Sequence, residues 1–414
     1  MTKRLGVLLV FLLAGVLLVS AAGAAEQEPI RVGFLTVRSG ALAAGGRQME
    51  EGLALYLKEH DGKLAGRKVE VTTLDTAGQP NLTKTRAQEA VERYHVQVLI
   101  GPLAAFEALA INDYIRQVKI PVISPSAAAE DLTQRNLNPW FVRAVGSSAQ
   151  FNHPLGEYAA KKLGYKRIAT IGDDFAFGHE TTAGFQRAFE DNGGKIVQKQ
   201  WPPLNVADYG SYIGGIKTDV DAVYASFAGA NGLRFLRQYA EYGLKEKIPV
   251  LGNMTTVDEG ILKNMGDEAV GVVSGGWYSA AIETKENQKV VAAFRKAGLA
   301  DPGYYSAGAY SAALFLDLAL QKVKGKIEDK EAFMQALRSL DIKDSFRGPI
   351  RIDAYGNPVL TVYIRKVEKK DGKLQNTVLQ TYPAVSQFWK YNPAEFLAAP
   401  VYSRDYPKAA HLEP

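Results

Sequence analysis

Three observations predict an α/β fold with two lobes and a cleft between them. Short β-rich runs alternate with helical patterns of roughly 10–15 residues up to Trp277, which is typical of βαβ units and parallel sheets. Apolar strands such as 98–100 show no polar alternation, as expected for strands that are buried on both faces. After Trp277 two or three helical patterns follow without strands of their own, so we expect the chain to return to the first sheet.

The first half of the mature chain predicts one parallel sheet. Strands are expected at 30–35, 69–74, 96–100 and 121–124, and helices at 47–59, 81–94 and 106–118. The first helix has Met49, Leu53, Tyr56 and Leu57 on one stripe, which is the spacing of an amphipathic helix.

The pattern then restarts and predicts a second sheet. Strands are expected at 167–172, 195–200, 222–226, 250–252 and 270–275, and helices at 151–163, 178–191 and 231–242. Further helices are expected at 285–297, 304–323 and 330–340, followed by a hairpin at 350–367 with turn residues at 353–358.

This order predicts how the chain is divided between the lobes. We assign residues 26–146 and 278–358 to the first lobe, and residues 147–277 and 359–390 to the second. The first crossing is expected near Gly146. The tail, residues 391–414, is rich in Ala, Pro and Tyr and is assigned no element.

The first 25 residues are expected to be a secretory signal peptide. Lys3 and Arg4 precede an apolar run at 5–19, and small residues at 20–25 provide an A-x-A cleavage site. The apolar run is shorter than the ~20 residues that span a bilayer, which argues against a membrane anchor. The chain contains no cysteine, so no lipid could be attached after cleavage and we expect an exported protein that is not a lipoprotein.

Composition excludes several function classes. Without cysteine there are no disulfides, thiol nucleophiles or Cys-ligated metals. The net charge of +5 is too small for a nucleic-acid partner, which needs a concentrated basic stripe. No nucleophile, phosphate-binding or metal-ligand motif is complete, and we interpret Asp173 and Asp174 as turn residues. We therefore expect no enzymatic activity, no metal and no cofactor.

Loops at the strand ends are the candidate ligand site, because α/β folds bind ligands outside the carboxyl ends of their strands. Ala104 and Ala105 open a helix, and their small side chains would let an anion approach the free N–H groups there. The other candidates in these loops are Phe106, Ser126, Ala127, Ala128, Phe175, Phe177, Phe227, Ala228 and Met254. Any one of these residues alone fits packing or turn geometry better than ligand binding. Together they fall in five loops, at 101–107, 125–130, 173–178, 227–229 and 253–254, and all five loops lie at the same strand ends.

With these loops considered, the chain resembles the periplasmic solute-binding proteins of branched-chain-amino-acid-type ABC transporters, which are leucine/isoleucine/valine-binding-like type I periplasmic binding proteins. The resemblance covers about residues 29–370. Its motifs are weak singly and specific in their order: IRVGFL at 30–35 with Ser39 and Gly40, VLIGP at 98–102, IPVISPSA at 120–127, WFVR at 140–143 and FAFG at 175–178. The resemblance implies two Rossmann-like lobes, a three-segment hinge, a ligand trapped by closure, delivery to permease subunits in the inner membrane, and no catalysis. It implies a periplasmic protein, and we expect a monomer.

Departures from the family pattern bear on the ligand. Amino-acid binders of this family hold the ligand carboxylate with a Ser and backbone N–H groups where this chain has Ala105 and the 126–128 loop. They hold the ammonium with a Thr where this chain has Ala128 and with a Glu where it has Met254, and they often have a Tyr at Ala228. A buried ammonium without partners costs several kcal/mol, which argues against an α-amino acid.

The candidate residues, which lack partners for an ammonium group, favour a small carboxylate as the ligand. We expect an aromatic acid of the benzoate or cinnamate type. A backbone anion site would hold the carboxylate, and the aromatic candidates, with Trp277 and Tyr278 added, would hold the ring. Arg38 or Arg47 could supply a positive charge, although each fits a solvated surface position slightly better.

Three alternatives stay open from the sequence. The same fold could bind a branched-chain amino acid or an amide if the loop alignment is shifted by a residue or two. A ligand-sensing receptor module would usually continue into a transmembrane segment, and no run after Glu26 reaches ~18 apolar residues. An exported hydrolase would need a nucleophile or a metal set that the motifs do not supply.

Overall fold

The structure, a computed structural model, describes residues 27–413. The predicted signal peptide, residues 1–25, lies outside the described residues. Among the helices that the structure describes, none is long and apolar enough to cross a membrane.

The first sheet is built from residues 30–143. Its strands are β1 (Ile30–Thr36), β2 (Lys63–Leu64), β3 (Arg67–Asp75), β4 (Val98–Ile100), β5 (Val122–Ser124) and β6 (Phe141–Arg143). The helices are α1 (Ala43–Glu59), α2 (Pro80–Gln88), which a π-helical turn at Glu89–Arg93 prolongs, and α3 (Ala105–Val118). The strand order is β2-β3-β1-β4-β5-β6, and every pair except the β2–β3 hairpin is parallel.

The second sheet starts after the chain leaves β6. Its first part comprises α4 (His153–Lys161), β7 (Arg167–Gly172), α5 (Ala176–Asp191), β8 (Lys195–Gln200), α6 (Gly210–Gly214), β9 (Ala222–Ser226), α7 (Asn231–Glu241), β10 (Val250–Asn253), α8 (Glu259–Leu262) and β11 (Val273–Gly276). The strands β8-β7-β9-β10-β11 are adjacent and parallel, so their carboxyl ends share one edge of the sheet.

The chain then returns to the first lobe. The returning helices are α9 (Lys285–Lys296), α10 (Tyr304–Lys322) and α11 (Lys330–Arg338). Helix α10 packs along α1, and a Cβ at Gly52 would lie 2.1 Å from the carbonyl oxygen of Ser306. Glycine is therefore needed for this close helix approach, which fixes the start of α10 beside the cleft.

The remaining strands extend the second sheet. They are β12 (Asp341–Ile342), β13 (Ile350–Ile352), β14 (Pro358–Lys370) and β15 (Lys373–Val385), with β14 antiparallel to β11. Strands β12 and β13 fall within the segment 278–358 that we assigned to the first lobe, but they hydrogen-bond into the second sheet through β14. The side chains of Ile350 and Ile352 nevertheless pack in the core that contains the first sheet, so this segment belongs to both lobes.

Polar contacts join two of the segments that cross between the lobes. The Arg143 guanidinium, at the end of β6, donates to Asn357 Oδ1, just before β14. Gln150 Nε2 donates to the Pro358 carbonyl at 2.8 Å, and Asn357 Nδ2 donates back to Gln150 Oε1 at 2.9 Å. The first and last crossings therefore form one hydrogen-bonded unit.

The tail contains an element that the sequence analysis did not assign. Residues 393–398 form α12 (Pro393–Ala398). The Phe396 side chain of this helix is buried, and so is the Tyr402 side chain of the following loop. The Arg187 guanidinium of α5 lies 3.7 Å from the Tyr391 ring centroid. The tail is thus packed against the second lobe.

Candidate functional site

A small cavity of about 20 Å³ lies between the lobes, at the carboxyl ends of β4, β5, β7 and β9. The first lobe contributes Leu42, Leu103, Ala104, Ala105, Ser126, Ala128, Tyr304 and Tyr305, and the second contributes Phe175, Phe177 and Ala228. This volume has room for about one water molecule, so the two lobes close tightly on each other here.

The start of α3 forms one wall. Glu107, buried in the first turn, accepts the Ala104 N–H at 2.8 Å and the Thr83 hydroxyl at 3.0 Å. Burial raises the pKa of the Glu107 carboxyl. The N–H groups of Ala105 and Phe106 have no acceptor among residues 27–413. These first-turn donors and the positive end of the helix dipole favour an anion here.

The loop after β5 forms the adjoining wall. The Tyr304 hydroxyl donates to the Ser126 carbonyl at 2.8 Å, and both the N–H and the hydroxyl of Ser148 donate to the Ala128 carbonyl at 2.9 Å. The Ser126 hydroxyl has no hydrogen-bond partner in the described part of the chain. The loop is therefore held by its carbonyls, and one hydroxyl beside the cavity stays available to a ligand.

Aromatic rings from both lobes close the cavity. The Phe106 ring of the first lobe meets the Phe175 ring of the second at 5.6 Å, and Phe177 meets Tyr304 at 6.2 Å. The Gly229 N–H donates to the Tyr305 hydroxyl at 3.2 Å. Because these contacts join the lobes, the structure represents the closed form.

No charged side chain lines this cavity. Two buried acids lie behind its walls. Asp173 accepts hydrogen bonds from the Ala228 N–H and the Asn231 side chain, both at 2.8 Å, and burial raises its pKa to about 8. Asp258 accepts the Tyr304 N–H, and burial raises its pKa to about 7. Neither acid lines the cavity, so the described residues offer an ammonium group no carboxylate partner there.

Two residues singled out from the sequence lie away from the cavity, in the second lobe. The Phe227 ring packs against Tyr209 at 5.2 Å and Phe235 at 4.8 Å. Met254 is fully buried, and its carbonyl accepts from Arg365 at 3.2 Å. Neither side chain is among the cavity's lining residues.

Three other candidates stand behind or outside the cavity wall. Ala127 is buried, and its carbonyl accepts the Ser124 hydroxyl at 3.0 Å. Trp277 is fully buried and contacts the Tyr304 ring at 5.6 Å, so it supports a lining residue from behind. The exposed Arg38 side chain forms an ion pair of 2.7 Å with Glu50.

Four lining residues were not predicted from the sequence. These are Leu42, Leu103, Tyr304 and Tyr305. Leu103 lies in the loop that already supplied Ala104 and Ala105. It could therefore have been predicted from its position at the carboxyl end of a strand. The two tyrosines begin α10, which reaches the cavity only because the chain returns to the first lobe.

The structure places no group of three or more His, Asp or Glu side chains in a position to bind a metal, within residues 27–413. The site's chemistry therefore rests on backbone N–H groups, hydroxyls and rings.

The comparison with protein families gives the chain's relationship. Residues 29–373 match a family model described as a periplasmic binding protein. The chain belongs to this family. It is a type I periplasmic binding protein of the branched-chain amino acid transporter type, and its two-lobe α/β architecture matches solved members. The resemblance stated from the sequence motifs is confirmed.

Individual relatives share this family and differ in the ligands named for them. A Brucella melitensis protein named Leu/Ile/Val-binding protein homolog 6 is 29% identical over 370 residues, which are 87% of this chain and 94% of that protein. A solute-binding protein of an ABC transporter from Rhodopseudomonas palustris BisB5, solved with 3,4-dihydroxybenzoic acid, is 35% identical with a TM-score of 0.82, covering 87% of this chain and 98% of that one.

Another R. palustris solute-binding protein, solved with benzoate, is 28% identical with a TM-score of 0.81, covering 86% and 98%. The chain is thus the substrate-binding component of an ABC transporter, in a family of solute-binding proteins and not of enzymes.

Proposed function

We propose that this periplasmic binding protein binds a small aromatic carboxylate, of the benzoate or hydroxybenzoate type, and delivers it to permease subunits in the inner membrane. One observation carries the proposal. The interlobe cavity combines free N–H donors at the start of α3 with four aromatic rings, and no acidic side chain lines it. Hydrogen-bond donors with no acidic side chain beside them favour a carboxylate, and the aromatic side chains favour contact with an aromatic ring of the ligand.

The ligand carboxylate accepts hydrogen bonds from the N–H groups of Ala105 and Phe106 and from the Ser126 hydroxyl. Hydrogen bonds to an ionised acceptor are about twice as strong as neutral ones, which makes this end of the ligand the anchor. The ring lies between Phe175 and Phe177 on one lobe and the tyrosines of α10 on the other. Closure then removes the ring from water, and this burial stabilises the closed form.

The neighbours' ligands support this proposal. The R. palustris protein at 35% identity was solved with 3,4-dihydroxybenzoic acid, and the one at 28% with benzoate. The curated relative named for Leu/Ile/Val is 29% identical. Similarity alone therefore leaves both ligand classes open, and the lack of an acid among the described lining residues supports the aromatic acid.

We also propose a cellular setting. Residues 1–25 act as a cleaved signal peptide, and the mature chain works in the periplasm. Mass spectrometry of the exported protein tests this, since an intact N-terminus at Met1 would contradict it.

A binding panel tests the ligand class. The mature protein is unfolded and refolded to remove any bound ligand, and then titrated by calorimetry and thermal shift. The panel holds benzoate, 4-hydroxybenzoate, 3,4-dihydroxybenzoate, cinnamate, phenylacetate, leucine, isoleucine and valine. A ligand at 100 times its Kd adds ~2.7 kcal/mol to the free energy of unfolding.

Benzamide is the matched control, because it has the shape of benzoate without the charge. We expect the acids to raise the melting temperature and benzamide to do so far less. A shift with leucine, isoleucine or valine and none with the aromatic acids would overturn the aromatic proposal and leave the transport role intact.

A further inference from the structure

A second, more open chamber of about 470 Å³ adjoins the inner cavity. The first lobe lines it with Gly40, Ala41, Ala43, Ala44 and Arg47, and the second with Asn205, Ala230 and Arg234. Ala41 is followed by Leu42, and Ala230 comes two residues after Ala228, so both lobes contribute neighbouring residues to the two cavities. The inner cavity and this outer chamber therefore share a dividing wall.

Both charged residues of the outer chamber are arginines. Arg47 is exposed and has no hydrogen bond or ion pair within residues 27–413. Arg234 donates to Asn231 Oδ1, and its Nε is buried without an acceptor in the described chain. The acids that interact electrostatically with these cations are Glu51 on α1 and the buried Asp173, and neither lines the chamber.

Two helices begin at the same chamber. Helix α1 starts at Ala43 and α7 at Asn231, and neither has an acidic residue in its first turn. Their partial positive charges therefore add to those of the two guanidinium groups. The chamber is a concentrated positive site without an internal counter-charge.

The site is complete only in the closed form. Arg47 belongs to the first lobe and Arg234 to the second. The lobes meet at the dividing wall, where a Cβ on Gly229 would lie 2.6 Å from the Ala41 carbonyl oxygen. An anion between the two arginines would therefore join the lobes.

We propose that the outer chamber is an anion subsite in which Arg47 and Arg234 hold one carboxylate or other oxyanion and stabilise the closed lobes. The anion is either a free small ion or a second acidic group at the far end of the ligand, and the two share the same chemistry. Because the inner ligand also favours the closed form, the two binding events are linked and each tightens the other by the same factor.

Three variants test the subsite. R47Q removes an exposed cation that forms no hydrogen bond or ion pair in the described chain, and R47Q/R234Q removes both arginines. R237Q is the matched control, because Arg237 is exposed on the same helix α7 and does not line the chamber. Circular dichroism checks that each variant is folded.

Sulfate is the free-ion probe, titrated against chloride at constant ionic strength. Sulfate should raise the melting temperature saturably in the wild type and R237Q, and this rise should shrink in R47Q and vanish in R47Q/R234Q. General stabilisation by excluded sulfate would be the same in all four proteins. Calorimetry with benzoate should show an affinity at least about fivefold tighter in sulfate.

Benzene-1,4-dicarboxylate is the probe for a ligand-borne anion. If sulfate has no specific effect, this dianion should bind more tightly than benzoate, and R47Q/R234Q should abolish the difference. If neither probe distinguishes R47Q/R234Q from R237Q, the subsite is overturned. A specific sulfate effect without binding of any aromatic acid would support the subsite and reject the proposed ligand class, so the two failures are distinguishable.

Discussion

At the scale of single residues, the cavity depends on small side chains. Ala128 is 1% exposed and lines the cavity, with its carbonyl held by Ser148. Ala128→Leu should place three more carbons in the ligand space and reduce the affinity for benzoate below detection by calorimetry. Because three added carbons exceed the small cavity, the cost to stability should lie within the ~1–3 kcal/mol that is typical of overpacking.

Ala110→Leu is the control for this substitution, since Ala110 is exposed on α3. It should leave both the affinity and the melting temperature unchanged. Wild-type affinity in Ala128→Leu would show that the ligand lies elsewhere.

The Phe177 ring supplies a different kind of contact. It lines the cavity and meets Tyr304 edge-on. Phe177→Ala should weaken benzoate binding by at least tenfold, because ring contacts are worth ~0.5–1.5 kcal/mol beyond the apolar area that is also lost. Phe177→Leu keeps much of that area and should lose less. A change under ~0.5 kcal/mol in Phe177→Ala, measured by calorimetry, would remove this ring from the binding site.

Individual residues also show why sequence reasoning located the loops better than their side chains. The loop after β9 was identified, and within it Phe227 packs in the core while the next residue, Ala228, lines the cavity. Neighbouring residues of an extended segment face opposite sides, so the sequence alone cannot decide which of the two meets a ligand. Tyr304 reaches the site only through packing between distant segments.

At the scale of elements, local patterns predicted most of the fold. The bounds of β7, β8 and β9 agree with the prediction residue for residue, because each is a β-rich run between clear turn signals. Helix α12 was missed although its start carries a signal. Asn392 caps it by accepting the Ala394 and Glu395 N–H groups, and Pro393 occupies the first turn, a common arrangement at helix starts.

Closure also rests on an element, the loop between β9 and α7. Gly229 has φ of 58°, and a Cβ there would lie 2.6 Å from the Ala41 carbonyl oxygen of the other lobe. Gly229→Ala should therefore weaken ligand binding by tenfold or more, because the lobes could not approach fully. Small-angle scattering with saturating benzoate should show a larger radius of gyration than for the wild type.

Gly243→Ala separates the clash from backbone strain. Gly243 has φ of 69° and no atom within 4 Å of its added Cβ, so the substitution costs the same ~1–2 kcal/mol of left-handed strain without touching the other lobe. It should lower the melting temperature and leave the affinity intact. Equal affinity losses in both variants would attribute the effect to strain.

At the scale of the whole molecule, the lobes are joined by a helix cap. Asp258 of the second lobe accepts the N–H of Tyr304, the first residue of α10 in the first lobe. Its side chain thus accepts a first-turn N–H of that helix only when the lobes are together. Such a contact between distant segments has no local sequence signal, which is why the sequence predicted a cleft and not how it is held shut.

This cap predicts that ligand affinity depends on pH. In the closed form burial and the neighbouring Glu259 raise the pKa of Asp258 to about 7, against the lowering effects of the Tyr304 N–H and Arg365. An exposed Asp has a pKa of ~3.9, so opening exposes Asp258 and releases its proton. Closure therefore takes up a proton at pH values between these two pKa values, so benzoate affinity should be highest at low pH, fall by at most about tenfold per pH unit as pH rises towards 7, and level off above 7.

Calorimetry between pH 5.5 and 8.5 measures this dependence, at ionic strength ~0.15 M where distant surface charges are screened. Asp258→Asn cannot ionise and should flatten the profile, although it keeps one oxygen to accept the Tyr304 N–H. Asp267→Asn is the control, because Asp267 is exposed and forms an ion pair with Lys369 at 3.3 Å, and it should keep the wild-type profile. An unchanged profile in Asp258→Asn would show that this carboxyl keeps the same protonation in the open and closed forms.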